Sequence, residues 1–250
     1  MPKITTVLFD CDNTLVLSEV LAFEACADLA NEILEKKGNP KRYTGPELLK
    51  DFVGQNFRGM MVGLMGKFDI TLTDAELDEY VEKELQAVVK KLEAKAEPCI
   101  GAMDEVDALH KEGKYKMAVV SSSALSRVKA SLDKVGMDKF FRPDWVYSAA
   151  TSLEKPTSKP NPAVYLFACK QIGVNPGECV AIEDSKSGAT AAKNAGIPLI
   201  GYVGPYEDDE IEEKTKMLKE ECGAIVVMKH WSEFRDCLKK VEEAPAVSSV

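Results

Sequence analysis

The sequence predicts a doubly wound parallel α/β core that carries an inserted, smaller, all-helical domain. Short, continuously apolar, β-rich runs alternate with amphipathic stretches, glycines mark the return from each helix, and one connection is far too long to be a simple crossover. A chain of 250 residues that is 45% hydrophobic can bury such a core and retain enough material for a second domain.

The first apolar run is Ile4 to Phe9, followed by Lys116 to Val120, Cys179 to Ile182, Ile197 to Val203 and Ala224 to Met228. None alternates with polar residues, as expected of strands covered on both faces. Helices are predicted over Ala102 to Lys111, Leu125 to Val135, Pro162 to Ile172 and Ser187 to Ala195, with Gly113, Gly136, Gly173 and Gly196 as their C-terminal stops. Roughly a hundred residues separate the first strand from the second, where a crossover needs about a dozen. That excess, Glu19 to Lys95, is helix-like throughout, with candidate helices at Glu19 to Lys37, Pro46 to Val53, Arg58 to Met65 and Asp74 to Ala94. The Glu97-Pro98 step suits the chain's return to the core, because a residue before proline is biased away from helix. The expected organisation is therefore a core of residues 1–16 and 98–241, a helical domain of 17–97, and a flexible tail of 242–250.

The formal charge of -9, from 32 Lys and Arg against 41 Asp and Glu, has the wrong sign for binding nucleic acid or an anionic membrane surface. Much of the acid lies in Asp74 to Glu97 and Glu207 to Glu221, where its spacing fits solvated helix faces. The seven cysteines are odd in number and scattered, without a CxxC pair or a histidine at ligand spacing, so reduced and mostly buried thiols are expected. The N-terminus enters a strand directly, and no apolar run approaches the ~20 residues that span a bilayer, so the expected location is cytoplasmic.

Chemistry in an open parallel sheet gathers at the carboxyl ends of its strands. Four polar clusters stand at such ends or in the loops beside them. In Phe9-Asp10-Cys11-Asp12-Asn13-Thr14, two carboxylates two positions apart can share a hard cation, divide nucleophile and proton-shuttle roles, or simply shape a turn. Ser121-Ser122-Ser123 opens a helix and suits either a phosphate or an ordinary N-cap. Ser158-Lys159-Pro160-Asn161-Pro162 fixes a lysine in a stiff loop, where it could hold an anion or only be solvated. Ile182-Glu183-Asp184-Ser185-Lys186-Ser187-Gly188 again sets two acids beyond an apolar strand. Acids stacked at one sheet edge are costly unless paired or metal-bound, and together with the first cluster they imply a cation.

The order DxDxT, Ser, Lys, Glu-Asp resembles the haloacid dehalogenase superfamily, specifically its members with a helical cap inserted after the first motif. FDCDNTLVLSE, VVSSS, SKPNPAVY and AIEDSKSGATAAKNAG are similar to the four motifs of phosphatases near the β-phosphoglucomutase and sugar-phosphate phosphatase branch, a likeness running from about Ile4 to Tyr202. Asn13 stands where many such proteins have glycine, which is expected to alter the turn and not the carboxylates. Lys155-Pro156 rivals Lys159-Pro160 as the third motif, and the following Asn-Pro and helix favour Lys159.

The resemblance implies a phosphatase with Asp10 as nucleophile, forming an aspartyl phosphate, and Asp12 as general acid and base. It implies Mg²⁺ held by Asp10, the backbone carbonyl of Asp12, Asp184 and Glu183, the last directly or through water, with Thr14, Ser121, Ser122 and Lys159 on the phosphate oxygens. A cap of this kind closes over the site and selects the substrate, with Glu19 and Arg58 among the candidate contacts. The expected partner is a small phosphorylated metabolite, with the protein a monomer or weak homodimer. Two alternatives are a phosphosugar mutase of the β-phosphoglucomutase type and a non-catalytic binding protein on the same fold.

Overall fold

A computed structural model describes residues 3–52 and 55–244. The chain divides into two compact units. One runs from the N-terminal segment to Leu17 and resumes at Glu97; the other is Ser18–Ala96.

The first unit is built on a six-stranded, all-parallel sheet: β1 (Thr6–Phe9), β4 (Lys116–Ser121), β5 (Val146–Ser148), β6 (Cys179–Glu183), β7 (Leu199–Tyr202) and β8 (Val226–Met228), in the spatial order β5-β4-β1-β6-β7-β8. The short antiparallel pair β2 (Val16–Leu17) and β3 (Glu97–Pro98) marks where the chain leaves this unit and re-enters it. Helices α5 (Ala102–Glu112), α6 (Leu125–Lys134), α7 (Ala163–Ile172), α8 (Lys186–Asn194), α9 (Ile211–Lys216) and α10 (Phe234–Glu243) complete a Rossmann-like arrangement.

β1 lies between β4 and β6, and from it the order runs outward in both directions, which is the switch point that opens a crevice at the strands' carboxyl ends. Its register aligns Phe9 with Val119 on one side and Ile182 on the other, so Asp10, Val120 and Glu183 come level at that edge. Neighbouring residues of β1 face opposite layers. Leu8 packs with Val164, Tyr165, Ala168 and the alanines of α8, while Phe9 stacks on Trp231, ring centroids 6.1 Å apart. Left-handed glycines end the helices where expected: Gly113 and Gly173 cap α5 and α7, and Gly136 and Gly196 lie one residue past the caps of α6 and α8.

The helical unit comprises α1 (Glu19–Lys36), α2 (Gly45–Asp51), α3 (Phe57–Phe68) and α4 (Asp74–Lys95). α1 packs against the other three around Ile33, Leu34, Leu48, Met61 and Leu64. α2 and α4 begin with reciprocal capping boxes, Thr44 with Glu47 and Thr73 with Glu76.

The structure departs from the sequence expectation at several points. β5, β2 and β3 were not anticipated, since two or three residues are too few to register as an apolar run. The predicted helix Pro46 to Val53 is observed as Gly45–Asp51, and Val53 lies outside the described residues. The expected tail of 242–250 begins too early: Glu242 and Glu243 belong to α10, and Glu242 accepts hydrogen bonds from Lys114 Nζ (3.3 Å) and Tyr115 Oη (2.8 Å). Residues 245–250 lie outside the described residues. All seven cysteines are buried and none is in a disulfide, and no helix among the described residues is long and apolar enough to cross a membrane.

Candidate active site

Asp10 is the first residue past β1, and its backbone N–H still donates to Ile182 O at 3.1 Å, so the sheet itself sets its position. The chain then turns sharply: Asn13 N–H donates to Val16 O at 2.8 Å, and Leu15 and Val16 return to Cys11 O, both at 3.0 Å. Asn13 makes this turn at φ 54°, the left-handed region that glycine enters freely and asparagine tolerates. Beneath the loop, the fully buried Trp231 donates its indole N–H to Thr14 O at 3.2 Å.

Lys159 is buried against this strand end. Its ammonium donates to Asp10 Oδ1 (2.6 Å), Glu183 Oε1 (2.6 Å) and Val120 O (2.8 Å), which uses all three of its hydrogens. Glu183 Oε1 also accepts from the Tyr165 hydroxyl, and the Lys159 ammonium lies 5.2 Å from that ring's centroid. Among the described residues, Glu183 Oε2 has no hydrogen-bond partner, and it sits against Gly188, where a Cβ would come within 1.8 Å of it. Glycine at the first turn of α8 is therefore what makes room for the carboxylate.

Asp12 faces the serine cluster. Its Oδ2 accepts from Ser123 Oγ at 2.7 Å and Ser121 Oγ at 3.3 Å, and Ser121 Oγ accepts from Ser123 N–H at 2.9 Å. Ser122 Oγ accepts from Lys159 N–H at 3.0 Å, tying the third cluster to the second. On the other side, Thr14 Oγ1 lies 3.5 Å from Asp184 Oδ1. The four clusters named from the sequence thus meet at one edge of the sheet. Lys155, the rival lysine, is exposed. Glu19 and Arg58 belong to the helical unit; Glu19 is exposed at the start of α1, and Arg58 is paired with Asp78 of α4.

Burial raises the Asp10 carboxyl above its ordinary range, against the opposing pull of Lys159, and Asp12 adds to the rise. Burial likewise pushes Glu183 up to about 8, again opposed by Lys159. For Lys159 the sign is the reverse: burial favours the neutral amine, but the charges of Asp10 and Glu183 outweigh it and hold the ammonium form. Tyr165 is raised well above its ordinary value, by burial first and then by Glu183, so its phenol remains a donor.

Asp10, Glu183 and Asp184 each place an oxygen within 4.8 Å of the others, all of them buried. Three buried carboxylates gather beside a single ammonium, which contacts two of them, Asp10 and Glu183, and a divalent cation would offset the negative charge that this arrangement concentrates. The donors are all oxygen, which suits a hard ion such as Mg²⁺. The residues present therefore fit the ion that the sequence motifs imply.

The sequence profile of the haloacid dehalogenase-like hydrolases matches residues 4–196. The chain belongs to this family. It is similar to a phosphorylated carbohydrates phosphatase of Thermotoga maritima, 30% identical over 94% of this chain and 98% of that one. It is also similar to a 6-phosphogluconate phosphatase of Escherichia coli K12, 28% identical over 81% of this chain and 84% of that one. Among solved structures, a haloacid dehalogenase-like protein of Agrobacterium tumefaciens superposes with a TM-score of 0.73 at 25% identity, covering 96% of this chain and 100% of the other. The protein is an enzyme, a phosphoric monoester hydrolase of the haloacid dehalogenase-like type.

Several residues around this hydrolase's site escape sequence reasoning. Tyr165 reads as one more core position of α7, and its hydroxyl is the only sign of a polar task. Ser123 is the third of three serines, and nothing in the run distinguishes it from its neighbours. Gly188 reads as a helix residue, and Trp231 lies 217 positions from Thr14, beyond the range of any local pattern.

Proposed function

We propose that this hydrolase is a magnesium-dependent phosphatase that acts on a small phosphorylated metabolite, a sugar, polyol or sugar-acid phosphate, through an aspartyl phosphate on Asp10. The observation that carries the reading is the buried Asp10–Lys159 pair at the switch point, with Asp12 two residues on and oriented by Ser121 and Ser123.

In this reading Asp10 attacks phosphorus, and the bond to the leaving oxygen breaks as Asp12 protonates that oxygen. Asp12 then takes a proton from the water that attacks the phosphoryl-enzyme, and inorganic phosphate leaves with Asp10 restored. Lys159, its three hydrogens engaged by Asp10, Glu183 and Val120 O, holds the nucleophile and keeps a fixed positive charge beside the transferring oxygens, which Ser121, Ser122 and Thr14 would bind. Asp10, Asp184 and the Asp12 carbonyl would hold Mg²⁺. Glu183 would complete the set, with one of its oxygens committed to Lys159 and Tyr165 and the other packed on Gly188. Bound Mg²⁺ supplies the positive charge that lets an anion approach a phosphate dianion. The names of the Thermotoga and Escherichia relatives support phosphorylated carbohydrates and sugar acids as the substrate class.

The test is a panel of phosphorylated metabolites assayed for released inorganic phosphate with Mg²⁺ present. Release of one phosphate per substrate, with ¹⁸O from labelled water in that phosphate, is the expected result. Conversion of β-glucose 1-phosphate to glucose 6-phosphate much faster than phosphate release would replace the reading with a mutase. Binding of phosphorylated metabolites without turnover would leave only a binding protein.

A further inference from the structure

Tyr165 is fully buried on α7, yet its hydroxyl reaches the very oxygen that Lys159 binds. Glu183 Oε1 accepts from both, while the Lys159 ammonium also donates to Asp10 Oδ1, and it stands 2.6 Å from each carboxylate.

This even division is not what environment alone would give. The Glu183 side chain is fully buried and the Asp10 side chain is 9% exposed, and attraction to a cation strengthens as water is withdrawn. By that measure Glu183 is the stronger claimant on the ammonium. An acceptor oxygen that already takes one hydrogen bond offers less to another, and the Tyr165 hydroxyl supplies that competing bond. The same contact fixes the carboxylate's orientation. The torsion that turns a glutamate carboxylate is broad unless its oxygens are held, and here Oε1 is held by Tyr165 while Oε2 is packed on Gly188. The ring adds a second restraint, since the ammonium lies 5.2 Å from its centroid, within the range at which a π face attracts a cation.

We propose that Tyr165 is a positioning residue for the nucleophile: by binding Glu183 Oε1 it keeps the Lys159 ammonium shared with Asp10, and so holds Asp10 in place for attack. This deepens the phosphatase reading given above and rests on it. Tyr165 acts through Glu183 and Lys159 and takes no part in bond making.

The experiment compares the full-length protein as wild type, Tyr165→Phe, Lys159→Ala and the double variant. Phosphate release with Mg²⁺ is measured from p-nitrophenyl phosphate and from the metabolite panel, with metal-free unfolding midpoints beside the rates. Phenylalanine keeps the ring against the ammonium and removes only the hydroxyl. Tyr165→Phe should lower kcat about tenfold or more, the usual cost of losing such an outer partner. KM should stay within about threefold, because the hydroxyl orders the nucleophile and binds no substrate. In the Lys159→Ala background there is no ammonium to divide, so the same change should lower kcat by less than about threefold. A role confined to core packing would lower the rate alike in both backgrounds. Equal losses in the two backgrounds, a kcat in Tyr165→Phe within about threefold of wild type, or a Tyr165→Phe that fails to fold would each overturn the role of Tyr165. No phosphate release by wild type, or a wild-type kcat in Lys159→Ala, would instead overturn the reading of the site on which it rests.

Discussion

At the carboxyl edge of the sheet, the Lys159 side chain is 3% exposed and its ammonium is shared by two carboxylates, whereas in the helical unit Lys36 meets Glu32 at 2.6 Å with 58% and 40% of the two side chains exposed. The same residue types therefore meet very different costs. Solvated pairs such as Lys36–Glu32, Arg58–Asp78 and Lys67–Asp51 lose little on forming and gain little, because water already satisfies both partners. The buried group must overcome desolvation of every member, and such clusters persist where geometry fixes each hydrogen bond. A protein that keeps Asp10, Glu183, Asp184 and Lys159 together out of water is spending stability on a fixed arrangement of charge. The helical unit shows how the chain treats charge where no such arrangement is needed.

The largest effect expected from this contrast is at Asp10. Asp10→Asn keeps the shape and removes the nucleophilic anion, so phosphate release should fall to background while circular dichroism is unchanged. Turnover comparable to wild type in the purified variant would remove Asp10 from the mechanism. Chelation should give the same loss, reversible by Mg²⁺.

Next is Lys159. Lys159→Ala should cost about 3 kcal/mol in the barrier, roughly a hundredfold in rate, as for a single lost oxyanion donor. Lys159→Met, which leaves Asp10 and Glu183 facing each other without a cation, should lower the stability of the metal-free protein by about 3–5 kcal/mol in denaturant titration. The exposed Lys155→Ala should stay within a few-fold of wild type in rate, and the reverse ranking would move the third motif four residues upstream.

Gly188→Ala should have an intermediate effect. Its new methyl would overlap Glu183 Oε2, so the carboxylate must shift and take Lys159 with it. A loss of about 1–3 kcal/mol in stability is expected, together with a drop in turnover. Wild-type behaviour would show that the cluster is looser than its geometry implies. The smallest effect is expected in the helical unit, where Arg58→Gln should move the unfolding midpoint by less than about 2 °C. A larger shift would erase the distinction between the two units.

How much of this was legible in the sequence depends on the distance over which each feature is encoded. β1, β4, β6, β7 and β8 are continuous apolar runs and could be read directly, as could the glycines that end α5 and α7. β5 and the two-residue pair β2–β3 exist through their neighbours, so no local pattern announces them. Asp10, Asp12, Ser121, Lys159, Glu183 and Asp184 each sit in a short motif within or just after a strand or before a helix, where a polar residue needs explaining. Their convergence follows from strand register. Tyr165 and Tyr206 hold their carboxylates across 18 and 22 positions, and what each holds emerges only when the loops fold back. Asn13 is instructive in the other direction: a non-glycine residue takes the left-handed backbone that the turn requires, a conformation asparagine tolerates.

The indole of Trp231 carries a consequence for the order in which the protein becomes competent. Synthesis produces Trp231 217 positions after Thr14, although the ring stacks under Phe9 and bonds the carbonyl of Thr14. A nascent chain extended through Asp184 already holds every group assigned to phosphoryl transfer, but the prop beneath its first loop has yet to be made. The Asp10–Thr14 turn can reach its finished packing only when the segment carrying Trp231 emerges, which ties the ripening of the first motif to an element translated after all four.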